Sequence, residues 1–253
     1  MKTALIGHSG FVGSNISSQW RFDYYFNSSN INQIEGQEYD LIICAGTPGT
    51  KWVANQNSSE DSAKIGQLEK SLRNVSAGSI LLISTIDVYP TPHGVTEDTS
   101  INASDLDAYG QNRLKFERFI QSKFPKVSVV RLPGLYGEGL KKNILFDLIT
   151  QTNLDKVPRE GFCQFYPLSR IGEDLDLVLH NKIETINFAT EPISISEILD
   201  IFETTGGNSQ IIPPNYDMRT NHARLWGNRK NYMMNKAEVS ANLKRFICSY
   251  NTQ

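Results

Sequence analysis

The sequence predicts an α/β fold, a Rossmann-like parallel sheet with helices on both faces and a smaller C-terminal lobe. Short apolar segments alternate with longer amphipathic segments through the first half of the chain, which is typical of βαβ units. The first of these segments runs directly into a glycine-rich loop. The 253 residues, 39% of them hydrophobic, are enough to bury a large core. These observations place the main sheet in the first half of the chain.

The individual elements follow from hydrophobic periodicity, which is 2 for strands and about 3.6 for helices. In the first half, we predict strands at residues 3–6, 23–26, 41–44, 80–84 and 127–132, and helices at 11–20, 60–74 and 109–124. In the second half the pattern loosens, with helices predicted at 143–150, 194–204 and 236–249 and a strand at 183–188. We therefore expect a Rossmann-like domain at residues 1–137 and a smaller substrate lobe at 138–253, with one continuous domain as the alternative.

Composition argues against several classes of protein. The 25 basic and 27 acidic residues give a net charge of −2, which gives no reason to expect nucleic acid or a membrane as a partner. The three cysteines, Cys44, Cys163 and Cys248, have no metal-ligand spacing, so we expect reduced thiols and no metal site. No apolar segment approaches the roughly 18 residues of a membrane span. The N-terminus lacks the layout of a signal peptide, so the expected location is the cytoplasm.

A glycine-rich loop follows the first predicted strand and precedes the first predicted helix. Its glycines, Gly7, Gly10 and Gly13, are spaced for a tight turn, for close approach of a pyrophosphate and for packing of helix on strand. The helix N-terminus also offers N–H groups and a positive dipole to phosphates. A structural turn is the alternative, but the strand–loop–helix context favours a dinucleotide site. The expected contacts from this loop are Gly7, Ser9, Gly10, Phe11, Val12 and Gly13.

The residues after the second and third strands bear on which dinucleotide binds. An acidic residue after the second strand would favour NAD by binding the ribose 2′-hydroxyl, but the chain has Asn27 and Ser28 there. No arginine stands close by to pair with a 2′-phosphate, so NAD and NADP both stay open, with a slight lean to NADP. Ala45 and Gly46 follow the third strand and are further expected cofactor contacts, because ligands of such sheets bind beyond the carboxyl ends of the strands.

Three further motifs follow the glycine loop in order. They are Leu-Ile-Ser-Thr-Ile-Asp-Val-Tyr at residues 82–89, Tyr-Gly-Gln-Asn-Arg at 109–113 and Arg-Leu-Pro-Gly-Leu-Tyr-Gly at 131–137. With these motifs the chain resembles the extended short-chain dehydrogenase/reductases, the NAD-dependent epimerase/dehydratase family. The resemblance covers about the first 150 residues well and the rest loosely. It implies an NAD(P) cofactor, a nucleotide-sugar substrate and a homodimer formed through the helices at 60–74 and 109–124.

The resemblance implies roles for individual residues. Thr85 matches the Ser/Thr that hydrogen-bonds the substrate oxygen. Tyr109 matches the tyrosine that exchanges a proton with the substrate hydroxyl or carbonyl while a hydride moves to or from the nicotinamide. Pro133 lies in the segment that lines the nicotinamide end of the site. Asn143 is similar in placement to an asparagine that holds the diphosphate of a nucleotide sugar.

One position departs from the family motif, because the lysine four residues after the tyrosine is Arg113 here. Arginine keeps a fixed positive charge, which favours the tyrosinate form of Tyr109. A guanidinium does not deprotonate in proteins, so it does not relay protons as a lysine does. Arg113 therefore leaves a second reading open, in which the protein is a dinucleotide-binding or regulatory module that has lost catalysis.

Asp87 supports another alternative, a nucleotide-sugar dehydratase. In the dehydratases that the chain resembles, an acid two residues beyond the threonine helps to remove water, and Asp87 matches that position with a shorter side chain. Ile86 stands where some of these enzymes carry another acid. A raised pKa in a cleft would let Asp87 act as a general acid or base. An aspartate that stabilises the turn before Tyr89 is the structural alternative.

Two segments are candidates for contact with the substrate. Lys51 and Trp52, in the loop expected after the third strand, would meet an anion and stack on a ring. Arg219, in the second lobe, would clamp a phosphate or carboxylate in a bidentate manner, with a structural salt bridge as the alternative. The leading hypothesis is an NAD(P)-dependent oxidoreductase or epimerase that acts on a hydroxyl or keto group of a nucleotide sugar, with Tyr109 as the catalytic acid or base.

Overall fold

The computed structural model describes residues 1–204, 208, 210–227 and 230–250. Across these ranges no helix is both long enough and apolar enough to span a bilayer. The strands, in chain order, are β1 (Thr3–Ile6), β2 (Tyr24–Phe26), β3 (Glu38–Cys44), β4 (Ser76–Thr85), β5 (His93–Val95), β6 (Val127–Leu132), β7 (Gly134–Tyr136), β8 (Phe162–Cys163), β9 (Phe165–Pro167), β10 (Thr185–Asn187), β11 (Ile193–Ser194) and β12 (Asp217–Met218). The helices are α1 (Phe11–Gln19), α2 (Lys51–Gln56), α3 (Ser58–Leu72), α4 (Ala108–Lys123), α5 (Ile144–Thr150), α6 (Ile171–His180), α7 (Ile195–Ile201) and α8 (Lys236–Tyr250).

The central sheet has six strands in the order β10-β6-β4-β3-β1-β2. Strands β2, β1, β3 and β4 pair in parallel. Ile6 is paired with Cys44, and Cys44 with Leu82, so the carboxyl ends of β1, β3 and β4 meet at one edge of the sheet. The predicted α/β class, with a parallel sheet flanked by helices, is confirmed. Ligands of open parallel sheets bind at this edge.

The core of the central sheet explains why its strands are apolar throughout. Side chains from β1, β3 and β4 pack against α3 and α4, so these strands lack the polar face of a half-exposed sheet. Tyr39, Leu72 and Phe116 are among the largest buried members. The fully buried members from the strands include Ala4, Ile42, Cys44 and Ile80, each 0% exposed.

Two helices of the structure are absent from the predictions. Helix α6 buries Ile171, Leu175 and Val178, which are spaced at i, i+4 and i+7, so its helical pattern was present in the sequence. Helix α2 begins at Lys51, where the sequence suggested a continuous loop up to Trp52. Its six residues are too few to show a helical period on their own.

The chain divides into two compact units. The first comprises Met1–Thr91, Thr99–Arg131 and Ser169–Ile186, and contains nearly all of the central sheet. The second comprises Pro92–Asp98, Leu132–Leu168 and the residues from Asn187 onward, and contains the strand pairs β5–β12, β7–β9 and β8–β11. A single boundary at residue 137 differs from this division, because 92–98 and 169–186 each belong to the unit on the other side of that boundary.

Candidate active site

Two glycines of the loop between β1 and α1 are required by backbone geometry. Gly7 has φ +86°, and its N–H donates to the carbonyl of Phe26 at 2.7 Å. A Cβ on Gly13 would lie 2.0 Å from the carbonyl oxygen of Gly7. Helix α1 therefore approaches the turn after β1 more closely than any side chain allows.

The N-terminus of α1 has the features of a phosphate site. Gly10 is its N-cap residue and supplies no side-chain cap, and the first turn carries no acidic residue. Ser9 and Gly10 are exposed, while Phe11 and Val12 are half-buried. Uncapped N–H groups and the positive end of the helix dipole together suit a pyrophosphate. The loop therefore fits a dinucleotide.

The segment after β3 packs directly on the glycine loop. A Cβ on Gly7 would lie 2.3 Å from the carbonyl oxygen of Ala45, and a Cβ on Gly46 would lie 2.9 Å from Cγ2 of Ile6. The structure thus brings Ala45 and Gly46 next to Gly7, as expected for strands whose carboxyl ends lie side by side.

The segment after β2 is polar and uncharged. Oδ1 of Asn27 accepts hydrogen bonds from the backbone N–H of Ser29 at 2.9 Å and from its hydroxyl at 2.6 Å. Nδ2 of Asn27 lies 3.2 Å from Nε2 of His8, a contact that links this segment to the glycine loop. Ser28 is exposed beside Asn27. Residues 27–30 contain no carboxylate, so nothing in this segment would repel the 2′-phosphate of NADP.

Thr85 ends β4 and caps the short 3-10 helix Ile86–Val88. Its Oγ1 accepts the N–H of Asp87 at 3.2 Å and donates to Oδ2 of Asp87 at 3.1 Å. The other carboxylate oxygen of Asp87 lies 2.6 Å from Nζ of Lys51. Asp87 is therefore held on both oxygens and stabilises this turn, while its position beside Thr85 keeps it within the candidate site.

Tyr109 lies in the first turn of α4 and is 7% exposed. Its phenol lies close enough to the Thr85 side chain for Thr85 to influence the pKa of Tyr109. Burial raises the pKa of Tyr109 above its usual value; the charge of Arg113 and the Thr85 side chain act in the opposite direction but are outweighed, and Asp87 and Asp61 add to the increase. Tyr109 is therefore held as a neutral phenol at the carboxyl end of β4.

Arg113 is not a free charge, because it forms a buried ion pair with Asp61 of α3. Its Nη1 binds Asp61 Oδ2, and its Nη2 binds Asp61 Oδ1 at 2.9 Å and also the carbonyl oxygen of Pro48. Its Cζ lies 3.8 Å from the centre of the Tyr109 ring. The Arg113 charge favours tyrosinate, as the sequence suggested, but burial outweighs this effect and the pKa of Tyr109 is raised overall. Sequence reasoning missed Asp61, although it precedes Ile65 by four residues and therefore shares the apolar face of α3.

Lys51 and Trp52 start helix α2 rather than lying in a loop, which corrects the sequence interpretation. Trp52 is 64% exposed, an unusual value for so large an aromatic ring. Lys51 binds Asp87 and also lies 3.3 Å from Oδ2 of Asp107. The Lys51 side chain therefore lies at the sheet edge that carries Thr85. Within the described ranges, no cluster of His, Cys, Asp and Glu is arranged to hold a metal ion.

The remaining candidates lie in the second unit. Pro133 is buried between β6 and β7. Asn143 has φ +117° and caps α5, because its Oδ1 accepts the N–H groups of Leu145 at 3.0 Å and Phe146 at 3.1 Å. This cap occupies its oxygen, and its Nδ2 donates to the carbonyl oxygen of Leu135 at 2.8 Å, so Asn143 is held as a structural residue on both side-chain atoms.

Arg219 forms the structural salt bridge that was the alternative to a phosphate clamp. Its Nη2 lies 2.6 Å from Oδ2 of Asp217, whose Oδ1 accepts the hydroxyl of Tyr232 at 2.5 Å. Burial, together with the contact to Asp217, raises the pKa of Tyr232 to about 12. The Arg219 side chain is nevertheless 40% exposed, so part of its guanidinium faces solvent.

Comparison with known proteins gives structural matches alone: no protein-family model and no curated protein sequence matches this chain. The UDP-glucose 4-epimerase of Thermotoga maritima, solved with UDP-glucose, is 11% identical, with a TM-score of 0.75 over 100% of this chain and 99% of that one. The dTDP-4-dehydrorhamnose reductase of Bacillus anthracis, solved with NADP, is 15% identical, with a TM-score of 0.70 over 98% and 99% of the two chains.

A dehydratase has the same fold. TunA, an NAD-dependent NDP-hexosamine 5,6-dehydratase involved in tunicamycin biosynthesis, is 13% identical, with a TM-score of 0.75 over 100% of this chain and 98% of that one. At these identities the likeness establishes the fold. Over its whole length the chain therefore has the fold of the extended short-chain dehydrogenase/reductases, in which nucleotide-sugar epimerases, reductases and dehydratases are found.

Proposed function

We propose that the protein is an NAD(P)-dependent oxidoreductase or epimerase that acts on a hydroxyl or keto group of a nucleotide sugar. The observation that carries this proposal is the buried phenol of Tyr109, which lies near Thr85 at the carboxyl end of β4. A buried phenol next to a hydroxyl, at the edge of the sheet where ligands bind, is suited to proton exchange with a substrate oxygen.

The residues present fit a nicotinamide dinucleotide. The glycine loop and the N-terminus of α1 would hold the pyrophosphate, Asn27 and Ser28 the adenosine ribose, and Ala45 and Gly46 the adjoining part of the cofactor. When bound, the dinucleotide supplies or removes a hydride at a substrate carbon. Structural neighbours described as NADP-bound and NAD-dependent support either form, and the uncharged segment after β2 gives a slight preference for NADP.

The chain supplies the proton chemistry and the orientation. Tyr109 exchanges a proton at Oη with the substrate oxygen, and Thr85 orients that oxygen through a hydrogen bond. Lys51 and the exposed ring of Trp52 are proposed contacts for the anionic and planar parts of the substrate. The two candidates of the second unit, Arg219 and Asn143, stay predictions from the sequence, and part of the Arg219 guanidinium is exposed and able to bind an anion.

Two other functions are favoured by specific contacts. The hydrogen bond between Asp87 and Thr85 favours a dehydratase, in which D87N would abolish water loss while cofactor binding is retained. The locking of Arg113 by Asp61 favours a module that binds the dinucleotide without turnover. Turnover that depends on Tyr109 would eliminate the second of these.

The proposal is tested with Y109F. Y136F is the matched control, because the buried Tyr136 hydroxyl has no hydrogen-bond partner among the described residues. Both variants are assayed with NAD, NADP and their reduced forms against UDP-, dTDP- and GDP-linked sugars and keto sugars. We expect Y109F to lose about 10²- to 10⁴-fold in turnover with cofactor affinity retained, and Y136F to resemble the wild type. Undiminished turnover in Y109F would refute the role of Tyr109 in proton exchange. If the wild-type protein binds the cofactor but turns over none of these sugars, the result would support the binding module.

A further inference from the structure

The ion pair between Arg113 and Asp61 is bidentate and buried. The Asp61 carboxylate receives both terminal nitrogens of Arg113, and Asn112 donates to its Oδ2 at 2.8 Å. The side chains of Arg113 and Asp61 are 2% and 5% exposed. A charge buried this deeply is stable only with its partner in place. The two residues therefore form one neutral unit.

This neutral unit lies against the face of the Tyr109 ring. The guanidinium carbon is 3.8 Å from the ring centre, and Asp61 fixes the guanidinium there from α3, a different helix. Without Asp61, the same guanidinium would present an uncompensated positive charge to the phenol, which favours ionisation. Asp61 thus controls how much of the Arg113 charge acts on Tyr109.

We propose that Asp61 is a positioning residue, which fixes the Arg113 guanidinium against the Tyr109 ring and offsets its positive charge, so that Tyr109 remains a proton donor for the reduction of a keto sugar up to a higher pH. This inference rests on the proposed function, to which it adds a residue that sets the pH range over which Tyr109 donates its proton. It adds to the site a residue that does not itself touch the substrate.

The carboxylate of Asp87 also opposes ionisation of Tyr109. Asp87 lies in the turn after β4, and its own charge is paired with Lys51 from α2. The aspartate that caps α4 is also close to Lys51. The positive charges near the phenol are thus each paired with a carboxylate, while burial disfavours the phenolate.

The proposed step is balanced in atoms and electrons. Tyr109 Oη gives its proton to the carbonyl oxygen of the substrate while the carbonyl carbon gains a hydride. One O–H bond breaks at Tyr109 and one C–H bond would break on the reduced nicotinamide, while one O–H bond and one C–H bond form on the substrate and the C=O double bond becomes single. The keto group is reduced, with the electron pair coming from the reduced nicotinamide of the proposed function. The Tyr109 phenolate then regains a proton from water.

The test follows the ionisation of Tyr109 in the cofactor-free protein. Tyrosinate absorbance is measured against pH for each protein with Tyr109 and for the same protein carrying Y109F. The difference between the two curves is the titration of Tyr109. We expect D61N to lower the midpoint by about one pH unit and R113Q to raise it, because each leaves one charge of the pair unbalanced. The double variant D61N/R113Q should return close to the wild-type midpoint.

This pattern separates electrostatic pairing from structural damage. General disruption of the site would move both single variants in the same direction, whereas pairing moves them in opposite directions and restores the midpoint in the double variant. Unchanged midpoints in both single variants, with wild-type circular dichroism, would overturn the proposal. If one single variant does not fold, the other and the double variant still test the sign of the shift.

The pH profile of the reaction gives a second readout. Reduction needs protonated Tyr109, so its rate should be level through neutral pH and fall on the alkaline side. D61N should move that fall to lower pH by the same amount as its titration midpoint. An alkaline limb that does not move would refute the link to reduction. If no sugar is turned over, the proposed function fails, but the titration still decides whether Asp61 and Arg113 act as a pair.

Discussion

Nζ of Lys51 lies 2.6 Å from Oδ1 of Asp87 and 3.3 Å from Oδ2 of Asp107, so one lysine at the start of α2 connects the turn after β4 with the N-cap of α4. One turn later, Asn55 donates to Asp107 at 3.0 Å and accepts the N–H of Tyr109 at 3.0 Å. Helix α2 thus fixes the start of the helix that carries the proposed catalytic tyrosine.

Replacing Lys51 with methionine should affect activity far more than stability. The lysine side chain is 45% exposed, and ion pairs of this kind contribute about 0–1 kcal/mol. Loss of the lysine leaves Asp87 without its counter-charge beside Thr85, so we expect turnover to fall while the free energy of unfolding in urea changes little. K64M is the control, because it breaks an exposed pair with Glu60 on α3. Equal turnover in K51M and K64M would contradict this role.

Asp107 should make stability depend on pH in acid. Burial alone would raise the pKa of Asp107, but the Gly110 N–H, the Asn55 amide and Lys51 outweigh burial and lower it below 3.8. A lowered pKa means that the stabilisation is present above 3.8 and is lost as the pH falls through the native value.

The measurement is urea unfolding of the wild type, D107A and D107N at neutral pH and in acid. We expect D107A to cost about 1 kcal/mol at neutral pH, because it removes the helix cap. D107N keeps a capping oxygen and should cost less. The difference in the free energy of unfolding between the wild type and D107N should shrink in acid. A difference that is constant with pH would be inconsistent with the lowered pKa of Asp107.

Gly13→Ala should abolish dinucleotide binding. A Cβ there would lie 2.0 Å from the carbonyl oxygen of Gly7, so the loop and α1 must separate. G66A is the control, since a Cβ at Gly66 meets nothing within 4 Å and alanine favours the α3 helix by about 0.5–1 kcal/mol. Thermal shift with NAD and NADP measures both variants. Wild-type shifts in G13A would show that the cofactor does not use this loop.

Asn27→Asp should change the preference between NADP and NAD. A carboxylate at this position favours a ribose 2′-hydroxyl and repels a 2′-phosphate. We expect NADP to bind about tenfold more weakly, a loss of about 1.4 kcal/mol, with NAD affinity kept or improved. N32D is the control, because it adds the same charge at an exposed position nearby. Titration calorimetry measures the affinity of each variant for NAD and for NADP. Parallel changes in both affinities would argue against a 2′-phosphate site next to Asn27.

The predicted elements of the central sheet agree well with the structure because their patterns are local. Strand β6 spans the predicted residues 127–132, and α4 ends at Lys123, one residue before the predicted end. Agreement is poorer where an element is short. The six residues of α2 carry no readable period, and their helix depends on packing against α3 and α4.

The sequence by itself determined the parallel sheet, the glycine loop and the order of the Thr85 and Tyr109 motifs, because each depends on residues within a few positions of one another. The tertiary structure decided which charged residues pair with one another near the site. Arg113 and Asp61 are 52 residues apart, and Lys51 and Asp87 are 36 apart. Both pairs depend on how separate elements pack together, and burial then decides whether each charge acts on Tyr109 or is cancelled by its partner.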